Sequence, residues 1–339
     1  MNVTAAHPME SGMGIPRAVS NAESSPVAFV ATRRERHLSD RIFLWVLRGS
    51  AISVVSLLGL IGLFLLVGAW PAIQKFSLGF LTGSIWDPVA ENFGALPVAF
   101  GTVVSSCLGM AIAMPISVGA ALFLNEMAPS LLRRVVGFLV EMLAAIPSVV
   151  YGLWGIFVLA PWLREVVQPF LGKWLGFLPF FKGPAYGVGM LAAGVILSIM
   201  VMPTVASIAR EVFASIPRAQ REAALALGAT RWEMIRIAVL KSAKSGIMGA
   251  ALLGFGRAVG ETMAVTMVIG NRAEISPSLF APSQTMASVI ANEYAEAVTS
   301  LHVSALLEVA LLLFFVTFLM NGFARLLIWR VAGSRKGLV

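Results

Sequence analysis

The sequence predicts an all-α polytopic membrane protein with six transmembrane helices. Three observations carry that prediction. The 339 residues are 58% hydrophobic and only 12% charged, with a mean hydropathy of +0.86. Six apolar stretches each exceed the roughly 20 residues that cross a bilayer as helix. The Lys and Arg residues gather in alternate connecting segments. Soluble domains are about 25% charged, so this composition excludes a cytosolic enzyme, a disordered chain and a secreted disulfide scaffold. The single cysteine, Cys107, lies in an apolar run and is expected to be buried.

Residues 1–40 are polar and lack apolar periodicity, which predicts a disordered cytoplasmic arm. Its Arg33-Arg34-Glu35-Arg36 run is a topology signal or a contact for anionic membrane lipid. Residues 41–339 form the six-helix transmembrane domain. Gly49–Trp70 is too long for a signal-peptide core and stays as an anchor. Leu96–Leu124 and Ala185–Ala209 are free of charge. Val135–Trp162 holds Glu141, Gly246–Gly270 holds Arg257 and Glu261, and Val303–Ala324 holds Glu308. Pro115, Pro147 and Pro203 sit inside these spans, as membrane helices tolerate. Strand alternation is absent, which argues against a β-barrel. Trp86, Trp162 and Trp174, in the outer loops, suit the interfacial aromatic belt.

The basic residues fix the expected orientation. With a cytoplasmic amino terminus, 19 Lys and Arg residues fall in inner segments and 5 in outer ones. Both termini are therefore expected in the cytoplasm. The net charge of +8 is topogenic and implies no nucleic acid.

Catalytic chemistry is missing from the pattern. Gly172-Lys173 is followed by Trp174, so there is no phosphate-binding G-x-x-x-x-G-K-[ST] loop. Gly254-Phe255-Gly256 misses the dinucleotide fingerprint, and Gly256-x-x-x-Gly260 reads as a small-residue helix contact. His7, His37 and His302 are scattered, which argues against a metal cluster or a serine–histidine pair. The expectation is a non-enzyme that binds no cofactor itself.

Ionisable groups inside a span are costly and usually face a cavity or partner. Arg257 lies roughly 16 and 20 Å from the ends of a helical Gly246–Gly270 at 1.5 Å per residue, close to the midplane. Glu261, four residues on, would share its face. Two readings stay open. The two side chains form a buried ion pair that only orders the bundle, or Arg257 offers a permanently charged, planar donor to an anion crossing the membrane. In the second, Glu261 orients the guanidinium, accepts a proton, or replaces the anion once it leaves. Glu141 either caps an ionic contact or lines an inner vestibule. Glu308 begins the last span and is expected to reach water at the outer face.

The longest inner loop, residues 210–245, contains a polar helix-forming stretch after Pro217, then a glycine break, then a second helix. Within it, Glu222-Ala223-Ala224, three residues and Gly228 resemble the EAA loop of ABC-type importer permeases, the segment that docks in a groove of the ATPase subunit. The family pattern continues with I-x-L-P, where this chain has Ala238-Val239-Leu240-Lys241. Gly256-Arg257-Ala258-Val259-Gly260-Glu261-Thr262 resembles the G-R-A-x-G-E-T segment of phosphate-specific transport permeases. Ala287–Ala297, within the expected outer loop 271–302, and Glu141–Gly152 resemble the PstC-type subunit more than its PstA-type partner.

The resemblance covers roughly residue 40 to the tail and implies a type I ABC importer permease (MetI-like) fold. It implies a phosphate importer in which this chain pairs with a PstA-type permease, a PstB-type ATPase dimer and a PstS-type extracytoplasmic phosphate-binding protein. ATP and Mg would then be bound by the partner ATPase. It also assigns Arg257 and Glu261 to the substrate path, and Glu222, Ala223, Ala224 and Gly228 to ATPase coupling. The rival readings are a permease for another oxyanion, such as sulfate or molybdate, and an ion-coupled secondary carrier. A membrane-embedded enzyme ranks behind both.

Overall fold

In lipid every backbone N–H and C=O must be satisfied within the protein, which makes each long apolar stretch a helix. The computed structural model describes residues 38–333, which are almost entirely helical. Six helices are long and apolar enough to cross a membrane: Arg41–Phe76, Leu96–Glu126, Ser148–Leu175, Met190–Ala214, Arg231–Val259 and Ser300–Phe323. The arm expected over residues 1–40 lies outside the described residues as far as residue 37. Helix α1 begins at Leu38 and runs to Phe76.

The chain divides at Ser56/Leu57 into two compact units. In the first, every residue from Arg41 to Ser56 is exposed, Phe43 and Trp45 among them. In the second, α1 continues and is followed by a one-turn helix α2 (Gly79–Thr82) and a two-residue hairpin, β1 (Trp86–Asp87) antiparallel to β2 (Asn92–Phe93). Then come α3 (Leu96–Glu126) and α4 (Ser130–Ala144). Helix α5 (Ser148–Leu175) contains π-turns at Gly155–Leu159 and Leu163–Val167. Helix α6 is Met190–Ala214, and α7 is Arg218–Ala226. Helix α8 (Arg231–Val259) has a π-turn at Ile235–Leu240. Last come α9 (Met263–Val268), α10 (Met286–Glu293) and α11 (Ser300–Gly333).

All six spans were expected close to where they lie, and the third and fifth depart furthest from their expected bounds. The third was expected over Val135–Trp162, but Pro147 holds the chain extended there (ψ 140°) and splits the stretch into α4 and α5. A proline biases its predecessor away from helix and cannot donate an i→i−4 bond, so the membrane-length helix starts at Ser148 instead. The fifth was expected over Gly246–Gly270. It begins fifteen residues earlier, at Arg231, and stops at Val259. Residues 231–245, expected in the inner loop, are therefore part of α8. Lys241 stands where the importer pattern has proline, and the helix runs through it unbroken.

Helix α6 is the centre of the second unit, with Ile196, Leu197, Met200, Val201 and Val205 buried in one cluster. Small residues set its distance to α3. A Cβ on Gly194 would stand 2.4 Å from Leu108 Cδ2, and one on Gly109 would stand 2.9 Å from Leu197 Cβ. Close backbone approach of this kind drives helix association in lipid, where no hydrophobic force acts between helices. Gly254, rather than Gly256, makes the corresponding contact for α8, against Val205 and Val201. Among the described residues no other helix packs on Gly256, so the expected Gly256-x-x-x-Gly260 contact is not made within this chain.

Proline inside α1 is accommodated by a neighbouring hydroxyl. Beside Pro71, the N–H of Ala72 donates to Ser304 Oγ at 3.1 Å, and that hydroxyl donates to the carbonyl of Gly68 at 2.8 Å. One serine of α11 thus completes the interrupted ladder of α1. Cys107 is exposed on α3, contrary to expectation, on a face this chain leaves uncovered.

Candidate anion path and projecting helix

Arg257 sits in the last turn of α8, and the helix ends two residues later with Gly260 as its cap. Glu261 lies beyond that end, so the shared helical face expected for the pair does not exist. Its Oε1 instead accepts from the backbone N–H of Ala264 at 3.3 Å, at the start of α9. No ion pair joins Arg257 to Glu261 among the described residues. Glycine disfavours helix through its conformational entropy, and Thr262 supplies the next turn with a hydroxyl bond to the Gly260 carbonyl at 3.4 Å. Helix α9 then packs its buried Ala264, Val265 and Val268 into the centre of the unit. Gly152 and Gly155 of α5 leave room for it, since Cβ atoms there would collide with Met267 Sδ and Val268 Cγ1.

The guanidinium of Arg257 donates one hydrogen bond, from Nη1 to Thr204 Oγ1 of α6 at 3.0 Å, and is otherwise exposed. Arginine has five N–H donors, so this geometry fixes the group and leaves most of its donors available. Thr204 was not foreseen from the sequence, because only folding places α6 beside the end of α8. An exposed guanidinium inside a membrane-length helix is too costly to face lipid.

Glu141 is exposed on α4 and lines two adjoining cavities, of about 270 and 500 Å³, together with Arg133 and Arg210. Glu308 corrects its expectation. It is 8% exposed, two turns into α11, and its Oε2 has no hydrogen-bond partner among the described residues. It borders an apolar groove of about 610 Å³ between α1 and α11.

At the end of the bundle where α6 and α8 meet their connection, α7 projects. None of its residues is buried. Glu222 and Ala223 are exposed, whereas Ala224 is half-buried against the cluster of Phe213, Ile216, Met234 and Ile235. Leu227, just past the helix, is 89% exposed. Gly228 adopts φ +83° with open space around it, so the glycine is required by the left-handed turn and not by crowding. A capping box then starts α8: Thr230 Oγ1 accepts from the N–H of Glu233, and Glu233 Oε2 accepts from the N–H of Thr230.

Arg221 is the residue that sequence reasoning missed here. It donates to Glu126 through Nε at 3.2 Å and Nη2 at 2.8 Å. It also donates to the carbonyls of Ile216 at 2.6 Å and Phe213 at 2.8 Å. One side chain therefore clamps α7 to the ends of both α3 and α6. Its only sequence signal is an ordinary arginine in a polar helix.

A cluster on the other side of the bundle ties the β1–β2 hairpin down. Glu293 Oε2 accepts from Trp86 Nε1 at 2.9 Å and lies 3.0 Å from His302 Nε2, while Phe93 stacks on His302 at 5.2 Å. Trp86 is thus half-buried in a polar–aromatic cluster, not free in an interfacial belt. The segment 271–302, expected as an outer loop, is largely folded in: Met286 and Val289 of α10 are buried, and Thr285 and Ser288 cap it reciprocally. No group of three or more metal-ligating side chains occurs among the described residues.

Residues 113–333 match the model of the family described as binding-protein-dependent transport system inner membrane component. This chain belongs to that family. The permease is 46% identical over 305 residues to the phosphate transport system permease protein PstC of Mesorhizobium japonicum, covering 89% of this chain and 93% of that one. It is 44% identical to the protein of the same name from Pasteurella multocida, covering 88% and 94%. It is 39% identical to PstC 2 of Mycobacterium tuberculosis, covering 91% and 97%. Among solved structures, an inward-facing MetNI methionine ABC transporter matches the permease at TM-score 0.48 and 22% identity, covering 70% of this chain and 94% of that one. A bacterial ABC transporter involved in the import of the acidic polysaccharide alginate matches at TM-score 0.45 and 18% identity, covering 86% and 99%.

Proposed function

We propose that this permease forms half of the phosphate path of an ATP-driven importer. The observation that carries this reading is the match along nearly the whole chain to permeases named for phosphate transport. The geometry agrees with it, because the guanidinium at the break between α8 and α9 keeps free donors for a tetrahedral oxyanion. Family membership sets aside the secondary-carrier reading, since such a carrier has no use for a projecting helix that docks an ATPase.

In this reading both termini are cytoplasmic, and α7, through Glu222, Ala223, Ala224 and the Gly228 turn, sits in the groove of a PstB-type ATPase. A PstS-type binding protein delivers phosphate at the opposite face. A PstA-type permease covers the exposed face that carries Arg257. When ATP closes the ATPases, α7 is pushed. The Arg221 clamp passes the displacement to α3 and α6 as a rigid body, and α6 carries Thr204, the partner of Arg257. Glu261, at the start of α9, replaces the departing anion as the partner of Arg257. Glu141 lines the inner vestibule. ATP and Mg stay in the partner ATPase.

The test is radiolabelled phosphate uptake in cells lacking their own phosphate importers, with sulfate as competitor. Uptake that requires this chain together with the second permease, the ATPase and the binding protein, and that sulfate leaves unchanged, supports the reading. Uptake by this chain alone, or competition by sulfate at equal concentration, overturns it.

A further inference from the structure

Arg133, Arg134, Arg210, Arg218 and Arg221 line the cavities where α3, α4 and α6 meet their connecting segments, and Arg133 and Arg221 are tied to neighbouring groups. Arg133 donates to the carbonyls of Leu124 and Asn125, both at 2.8 Å, closing the end of α3. Arg221 is spent on Glu126 and two carbonyls. Arg210, the half-buried arginine of α6, has no hydrogen-bond or ion-pair partner among the described residues. It packs against the backbone of α4. Its guanidinium lies over Gly137 of α4, so closely that a Cβ there would stand 2.7 Å from Nη2 and 2.8 Å from Nη1. Gly137 is buried beneath it, and Arg210 itself is half-buried. This arginine is seated by shape, with its donor fork left open.

The fork opens onto space of the right kind. Arg210 lines both cavities beside Glu141, of about 270 and 500 Å³, and Ser207 lines the smaller one with it. Thr204, Ser207 and Arg210 are three residues apart along α6, and side chains at that spacing are neighbours on a helix surface. Thr204 is the partner of Arg257. A row of half-buried polar groups thus descends α6 from Arg257 to Arg210, about 9 Å along the axis from Thr204. Their neighbours Pro203, Val205, Ala206 and Ala209 are buried.

We infer that Arg210 is a second oxyanion station, binding phosphate after it leaves Arg257 and before it reaches the cytoplasm. This rests on the phosphate reading above. The carboxylates of Glu141 and Glu211 line the same space, and they keep the station weak by repelling the anion they help to release. A second weak site suits transit, since occupation must be favourable enough to enter and loose enough to leave. The same fork would fit a phospholipid headgroup, and the experiment separates the two sources of phosphate.

The test uses the assembled complex, with Arg210→Gln, Arg210→Lys and Gly137→Ala. In lipid-depleted detergent without nucleotide or binding protein, equilibrium dialysis against radiolabelled phosphate should show binding to wild type. With Arg257→Gln as the common background, which silences the first station, binding should be at least fivefold weaker in Arg210→Gln and Gly137→Ala, and largely retained in Arg210→Lys. In proteoliposomes, Arg210→Gln should lower the maximal uptake rate at least fivefold at unchanged KM, which the binding protein sets. ATP hydrolysis stimulated by the binding protein should persist. Unchanged phosphate binding in Arg210→Gln on that background overturns the inference, as does displacement of the bound phosphate by a short-chain phospholipid with uptake unaffected. If Arg210→Gln does not assemble, Gly137→Ala decides by the same two readings. Should the wild-type complex move sulfate and not phosphate, the substrate reading fails, and dialysis against sulfate still judges Arg210.

Discussion

Replacing Arg221 by methionine should uncouple ATP hydrolysis from transport, and the structure sets the size of the effect. Arg221 donates four hydrogen bonds, two to Glu126 and two to carbonyls at the end of α6. Hydrogen bonds to charged groups contribute about 1.5–3 kcal/mol each, and a simple sum of four would be about 6–12 kcal/mol. Two features reduce it. Asn125 Nδ2 still donates to Glu126 Oε1 at 2.7 Å. An adjoining polar cavity of about 420 Å³ admits water to the vacated site. What remains is the carboxylate of Glu126, 6% exposed and without its cation. Leaving one partner of a buried pair alone costs about 3–5 kcal/mol, and partial hydration places this case near 3. A local equilibrium holding α7 against α3 would then weaken roughly a hundredfold. Phosphate moved per ATP hydrolysed by the reconstituted complex should fall at least fivefold, with a lower melting temperature for the purified complex. The double variant Arg221→Met with Glu126→Met removes both charges and should recover most of the lost thermal stability, while the coupling ratio stays low. The reasoning is refuted if Arg221→Met leaves the ratio at the wild-type value, or if the two substitutions destabilise additively.

Further outcomes follow from the same geometry. Gly228→Ala forces a side chain into the left-handed region at φ +83°. That costs about 1–2 kcal/mol and should reduce ATPase co-purification severalfold without changing helix content by circular dichroism. Glu222→Lys reverses a charge on the exposed face of α7 and should likewise weaken ATPase association, measured by pull-down. Arg257→Gln should abolish phosphate uptake while the four-component complex still assembles on size exclusion, and Thr204→Val should lower uptake several-fold by losing the single bond that aims the guanidinium. Gly194→Val, with its Cβ 2.4 Å from Leu108 Cδ2, overpacks the contact of α3 with α6. It should destabilise the chain by about 1–3 kcal/mol, read from thermal unfolding in detergent.

Apolar stretches of more than 20 residues made the six helices legible before folding, because lipid offers the backbone no partner but itself. The helix and glycine turn around Glu222–Gly228 were legible too, since propensity and φ preference are local. Two span boundaries were not. Hydropathy continues across Pro147 and Gly260, and only the local backbone and the packing of α9 against Gly152 and Gly155 decide that the helices stop there. The break at Gly260 separated Arg257 from Glu261, a pair that sequence spacing alone had placed on one face. Arg257 itself stood out, as a charge whose burial is costly wherever it falls in a span. Its partner Thr204, the Arg221–Glu126 clamp and the seat of Arg210 over Gly137 join residues 53, 95 and 73 positions apart. Composition and periodicity along one chain determine which segments enter the membrane. Which side chains meet inside it depends on how closely the helices approach, and that distance is set by glycines that receive side chains of helices far away in the sequence.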